Sequence, residues 1–232
     1  MQLFIIRHGQ SANNVIEHQS QRHQDPLLTP LGEQQAAVLA AFLARGGHLS
    51  PSARQEERPF LDQLYCSPMR RALQTARPCG QSLGLVPEVW VDLHEIGGIY
   101  LDHGEDVGTV GYSGQTRRQI QEEFPGYDLP AEIGQEGWWN RPMEAAHAGQ
   151  GRAVSVAWAL RRRAGEDRRI GLVSHGDFTD ALLKALWGRL PGEALYWEHG
   201  NTGITCLDLS ADGRQLVRYV NCMAHLPDGM RL

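Results

Sequence analysis

No lysine- or arginine-rich tract runs through this chain and its formal net charge is -5, which disfavours nucleic acid as a partner. No apolar run approaches the roughly 18 residues that a membrane span requires, so no membrane partner is expected. The sequence does not open on a basic region followed by an apolar core, so no secretory signal is read and a cytoplasmic location is expected. Four cysteines, Cys66, Cys79, Cys206 and Cys222, contain no C-x-x-C pair, which points to free thiols in a reducing compartment rather than to a metal site. What remains, 232 residues of which 41% are hydrophobic, suits one α/β domain over residues 1–232 with a substantial core.

The chain is organised around Leu3-Phe4-Ile5-Ile6-Arg7-His8-Gly9, where four apolar residues end on an arginine, a histidine and a glycine. Such a run reads as a strand buried on both faces, and in open α/β sheets ligands collect where such strands end. The polar stretch Gln10 to Gln24 reads as a loop containing Asn14. Thr29-Pro30 with Glu33 starts a helix over about 30–45, and Gly46-Gly47 stops it. The segment from His48 to Pro59 reads as a surface insertion without an assigned role.

Leu61 to Cys66 reads as a second strand, with Ser67-Pro68 capping a helix to about Leu83 whose first turn carries Arg70 and Arg71. Pro87 to Leu93 reads as a third strand ending in His94-Glu95. An irregular insertion at about 97–149, with one short helix near 116–124, is too long for a simple connection and is expected to act as a lid or substrate-specificity region. A helix over about 151–163 and a strand over 169–174 follow. The latter ends, like the first strand, in His-Gly: Ser174-His175-Gly176, then Asp177 and a helix to about Trp187. Gly203 to Leu209 and Gln215 to Asn221 read as a terminal hairpin, and the last ten residues as a loosely packed tail.

If these strands are parallel neighbours, Arg7, His8, one of Arg70 and Arg71, Glu95 and His175 converge in one crevice. Guanidinium forks suit the oxygens of a transferring phosphoryl group, an imidazole can attack phosphorus, and a carboxyl group can protonate the departing alcohol and then deprotonate water. Nearby cations favour the neutral His8. Each residue also has a plainer reading: Arg7 could close a salt bridge on the sheet rim, and Glu95 could be a solvated loop carboxylate.

Taken together, Arg7-His8-Gly9-Gln10-Ser11 with Asn14, Leu28-Thr29-Pro30-Leu31-Gly32, Ser67-Pro68-Met69-Arg70-Arg71-Ala72, Leu93-His94-Glu95 and Ser174-His175-Gly176 resemble, in order and spacing, the motifs of the histidine phosphatase superfamily, the phosphoglycerate mutase-like fold. The resemblance implies a three-layer α/β/α sandwich whose sheet is mostly parallel with one antiparallel strand. It implies His8 as the phosphorylated nucleophile, Glu95 as proton donor, and His175 beside them. Arg7, Asn14, Arg71 and Gly176 form the implied substrate-binding set, and the family needs no metal and no organic cofactor. The substrate it implies is a phosphorylated small molecule, with a homodimer left open.

The continuation Ile96-Gly97-Gly98-Ile99-Tyr100 differs from the Arg-His-Tyr-Gly typical of cofactor-dependent mutases and favours hydrolysis. A phosphoglycerate mutase is the second reading, and a phospho-ligand binding module without turnover is the alternative of another class. Substrate choice is expected from the insertion, where Trp138, Trp139, Arg117, Arg118, Arg141, Tyr100, Tyr112 and Tyr127 offer surface and charge. The tryptophans read equally as core. Asp102 to Asp106 reads as a solvated loop, and Asp177 as a helix N-terminal charge or a second proton-handling group.

Overall fold

The computed structural model describes residues 1–192 and 194–231, with Gln19 described by its backbone. Leu3, Phe4, Ile5 and Ile6, all without exposed surface, make strand β1 (Gln2–Arg7) the middle of the fold. Burying each such side chain stabilises by about 2 kcal/mol. Helix α1 (Pro30–Ala44) starts where the sequence indicates: the Gly32 N–H donates to the Thr29 hydroxyl at 3.0 Å, and Pro30 occupies the first turn. Then come β2 (Gln63–Cys66), α2 (Arg70–Leu83) and β3 (Glu88–Val89). The insertion holds a small antiparallel hairpin, β4 (Tyr100–Asp102) with β5 (Thr109–Gly111), and α3 (Arg117–Glu123). The remaining elements are α4 (Ala146–Arg162), β6 (Arg169–Ser174), α5 (Gly176–Leu186), β7 (Ile204–Leu209) and β8 (Gln215–Cys222).

The main sheet has the order β3-β2-β6-β1-β7-β8, and only β7 runs against the rest. Alternate residues of β1 divide between two cores. Phe4 and Ile6 join α1, α2 and the insertion on one face, while Leu3 and Ile5 join α4 and α5 on the other. This is the expected three-layer mixed α/β arrangement. Because β1 and β6 are parallel with Arg7 opposite Ser174, both His-Gly ends emerge at one edge of the sheet.

Several expected boundaries shift. The third strand stops at Val89 because its neighbour β2 ends at Cys66, so the chain has no pairing partner and folds into a 3₁₀ turn over Val91–Leu93. Helix α4 begins at Ala146, five residues before the expected start, which shortens the irregular insertion. The tail is tied down rather than loose: Leu226 and His225 are buried, and Gln35 Nε2 donates to the Met230 carbonyl at 2.8 Å. The 48–59 segment also contributes to the interior, burying His48 and Leu49. Among the described residues no helix is long and apolar enough to cross a membrane.

Candidate active site

The corner that carries His8 is built mainly from backbone. A Cβ on Gly9 would come within 2.6 Å of the Gly32 carbonyl oxygen, and one on Gly32 within 2.0 Å of the Gln10 carbonyl oxygen, so only glycine at both positions lets the turn lie against α1. The Gly9 N–H donates to Thr75 Oγ1 at 3.0 Å and the Gln10 N–H to Gln35 Oε1 at 2.8 Å, fixing the turn to both helices. From the segment before β7, Asn201 Nδ2 donates to the His8 carbonyl at 3.0 Å and the Thr202 N–H to the Arg7 carbonyl at 3.1 Å.

His8 is buried, with Nδ1 2.6 Å from the Gly9 carbonyl oxygen and Nε2 3.0 Å from Arg71 Nε. A guanidinium N–H can only donate, so Nε2 accepts and the ring proton sits on Nδ1. Burial first, then the charges of Arg71 and Arg7, hold the His8 pKa well below the usual 6.5. The His175 ring lies with its centroid 5.0 Å from that of His8. Its Nε2 is 2.7 Å from Ser67 Oγ, while its buried Nδ1 has no partner among the described residues. Burial, followed by the charge of Arg71, also lowers the His175 pKa well below 6.5.

Ser67 does not cap α2 as the sequence suggests. The helix begins at Arg70 with Met69 in the capping position, and Ser67 Oγ accepts the Met69 N–H at 3.2 Å. The hydroxyl proton is therefore available to His175. The two consecutive arginines part company: Arg71 turns in to His8, whereas Arg70 Nη2 donates to both Glu123 carboxylate oxygens at 2.9 and 3.0 Å and faces α3. Asp25, whose Oδ1 is 3.9 Å from Arg71 Nη1, has its carboxyl pushed up to about 6, mainly by burial.

Glu95 rests on the N-terminus of α5. Its Oε1 accepts the Ile96 N–H at 2.9 Å and the Phe178 N–H at 2.8 Å, and Oε2 accepts the Asp177 N–H at 3.3 Å. These bonds and Arg71 favour the carboxylate, but burial and then the Asp177 charge outweigh them and raise the pKa above 4.5. Asp177 is exposed and accepts the Tyr196 hydroxyl at 2.7 Å. Arg7 donates to the His199 carbonyl at 2.5 Å; among the described residues it forms no rim salt bridge and its buried Nε has no partner. A Cβ on Gly176 would lie 3.6 Å from that Nε, which places Gly176 beside Arg7. Asn14 sits at the rim, with Oδ1 accepting the Ser11 N–H at 2.8 Å and Asn201 Nδ2 at 3.4 Å.

Behind Glu95 stands Arg152, which sequence reasoning missed because nothing near it in the chain marks it. It forks onto Glu144 at 3.0 and 2.6 Å, donates to the Asp92 and His94 carbonyls at 2.6 and 2.9 Å, and lies 4.5 Å over the Phe178 ring. Burial would raise the Glu144 pKa, yet its partners hold it down to about 2. The fork from Arg152 is the close contact, since His94 Nε2 is 3.7 Å away.

The insertion supplies less substrate-facing charge than expected. Trp138 and Trp139 are buried and pack on His94 with ring centroids 5.3 and 5.1 Å away. Arg117 donates to the carbonyls of Ile133, Leu129 and Pro130, and the exposed Arg118 pairs with Glu122. Arg141 lies over the Trp139 ring, and the Tyr127 hydroxyl donates to the Leu73 carbonyl. Asp102 to Asp106 forms the exposed turn of the β4–β5 hairpin.

The sequence pattern of the histidine phosphatase superfamily (branch 1) matches residues 3–222. A probable phosphatase of Schizosaccharomyces pombe is 29% identical over 129 residues, 56% of this chain and 52% of the relative, so the match spans about half of that protein's length. The glucosyl-3-phosphoglycerate phosphatase of Mycolicibacterium vanbaalenii is 29% identical over 202 residues, 80% of this chain and 74% of the relative. Among solved structures, a mycobacterial glucosyl-3-phosphoglycerate phosphatase with inorganic phosphate superposes with a TM-score of 0.56 at 25% identity, covering 97% of this chain and 99% of the other.

Proposed function

The chain belongs to the histidine phosphatase superfamily, branch 1, and from that membership we propose that it is a phosphomonoesterase working through a phosphohistidine on His8. The observation that carries the reading is the neutral imidazole of His8, its Nε2 lone pair turned toward Arg71 and its Nδ1 proton held by the Gly9 carbonyl. A phosphoester dianion entering between Arg7, Arg71 and His175 draws the Arg71 N–H from Nε2 to a phosphoryl oxygen and frees the nucleophile. The unpartnered His175 Nδ1 is the nitrogen placed to donate to a second oxygen, because the Ser67 hydroxyl can donate to Nε2.

Nε2 then bonds to phosphorus as the ester P–O bond breaks, and the Glu95 carboxyl gives its proton to the leaving oxygen. In the second half a water attacks phosphorus, Glu95 takes a water proton, the P–N bond breaks, and inorganic phosphate leaves with His8 restored. A group that must be protonated in one step and ionised in the next suits the raised pKa of Glu95. The name of one relative, a glucosyl-3-phosphoglycerate phosphatase, supports a phosphorylated small molecule as substrate.

The test is phosphate release from a panel of phosphoesters, with acid quenching to trap phosphoprotein. Acid-labile label on the protein and steady phosphate release are expected, both absent in His8→Ala. Release that is unchanged by His8→Ala would sink the reading. Conversion of 3-phosphoglycerate to 2-phosphoglycerate with no free phosphate would replace it with a mutase.

A further inference from the structure

Three guanidinium groups lie around the nucleophile, and one of them has no evident task. Arg71 faces His8 and Asp25, and Arg7 flanks His175 through Gly176 and the His199 carbonyl. The third, Arg22, is half-buried on the loop between β1 and α1, three residues before Asp25. Its Nε is buried with no hydrogen-bond partner, and among the described residues no carboxylate pairs with it. Its guanidinium carbon lies 5.3 Å from the centroid of the Tyr100 ring, at the start of the insertion hairpin. That ring is held against the chain that carries Glu95, since a Cβ on Gly97 would meet Tyr100 Cε1 at 2.5 Å.

A guanidinium with a buried Nε that no partner satisfies and no carboxylate beside it is under-compensated, and an aromatic face offsets only part of that cost. The nearby carboxyl groups do not supply the missing charge. Asp25 is turned to Arg71 and the Arg70 N–H, Glu95 serves as a proton donor, and Asp177 is bonded to Tyr196. Arg22 is close enough to Arg71 to join burial in lowering its pKa, so the charges of Arg7, Arg22 and Arg71 accumulate in one place. A transferring phosphoryl group accounts for two of these arginines. The arginines of the insertion that could have bound the rest of a substrate are occupied elsewhere, Arg117 by three carbonyls and Arg118 by Glu122.

We propose that Arg22, backed by the Tyr100 ring, determines specificity by receiving a second anionic group, a carboxylate or a second phosphate, borne on the alcohol side of the phosphomonoester. The inference rests on the phosphomonoesterase reading above. It places the second anion near Tyr100, which follows Glu95, the donor to the leaving oxygen, by five residues. A guanidinium fork suits either anion, and the substrate panel separates the two.

The experiment compares kcat/KM for three esters on one three-carbon skeleton: glycerol 3-phosphate, 3-phosphoglycerate and glycerol 1,3-bisphosphate. The native protein is expected to prefer one anion-bearing ester over glycerol 3-phosphate by tenfold or more. In Arg22→Gln that ratio is expected to fall at least tenfold, mainly through KM, and in Arg22→Lys to fall less. The ester whose advantage disappears identifies the anion. A native protein with no preference, or a ratio left intact by Arg22→Gln because all three esters lose equally, overturns the proposal. If Arg22→Gln does not fold, Arg22→Lys carries the comparison, and an unchanged ratio there overturns the proposal. Absence of phosphate release from every ester, p-nitrophenyl phosphate included, would instead be the failure of the phosphomonoesterase reading.

Discussion

His175 and Ser67 share one hydrogen bond, 2.7 Å between Nε2 and Oγ, and that bond determines which ring nitrogen is left for a ligand. Ser67 sits there because α2 starts two residues later than the Ser-Pro signal suggests. Removing the hydroxyl leaves a buried imidazole nitrogen unsatisfied and lets the ring proton move to the wrong side. Ser67→Ala is expected to lower kcat by about 10- to 100-fold, equivalent to about 1.4–2.8 kcal/mol, with KM changing less. Steady-state kinetics on one ester measures this, and Ser67→Thr, which keeps the hydroxyl, should recover part of the loss.

Arg152 is spent on protein partners: it holds both the loop and the helix end that fix Glu95. If its role is to position the acid, its loss must depend on how much the leaving group needs a proton. Arg152→Gln is expected to reduce kcat by about 10- to 100-fold for an alkyl phosphate, within the usual worth of general acid catalysis, but by under about threefold for p-nitrophenyl phosphate. Equal losses on both would show that Arg152 is a fold residue and nothing more.

Stability should rise with pH between about 4.5 and 6.5. Burial lowers the pKa of His8, His48, His94, His175, His199 and His225, with His48 and His225 brought down to about 4. In that window the unfolded chain binds protons that the folded protein refuses, so each histidine adds up to about 1.4 kcal/mol of stability per pH unit. Asp25 works the other way: its folded value of about 6 exceeds 3.8, so the folded state holds the extra proton there and loses stability as pH rises. Glu95 acts in the same direction as Asp25. Six groups outweigh two, and the unfolding midpoint measured from pH 4.5 to 8 should climb and then level near 7; a flat or falling profile contradicts this balance.

Much of the frame is legible locally. Four buried residues followed by Arg-His-Gly, and again a buried strand followed by Ser-His-Gly, announce two strand ends because burial and turning depend on neighbours in sequence. The division of labour between Arg70 and Arg71 is not local, since it is set by Glu123, more than fifty residues away along the chain. The sequence places the start of α4 at about Gly151, whereas the helix runs through Gly149, a residue type that weakens helices; packing favours it there, with Gly149 so close to Ile96 and Glu144 that a Cβ would come within 2.9 Å of either. The hairpin of β4 and β5 escaped notice because three-residue strands leave no periodicity to read. Arg152 and Arg22 escaped for the same reason: their importance lies in partners brought by the fold, or in the lack of them.

The contact of Gly9 with Gly32 has a consequence for how such a protein can change. Main chain meets main chain there, so across that contact no side-chain exchange can shift the turn that carries His8. On the specificity proposal above, variation that retunes substrate choice falls instead in the loop of Arg22 and the hairpin of Tyr100. There the neighbours are side chains, each replaceable one at a time. The chain is thereby divided into a corner that tolerates almost no tinkering and a rim open to it, and a search for altered substrate preference would do well to randomise only the second.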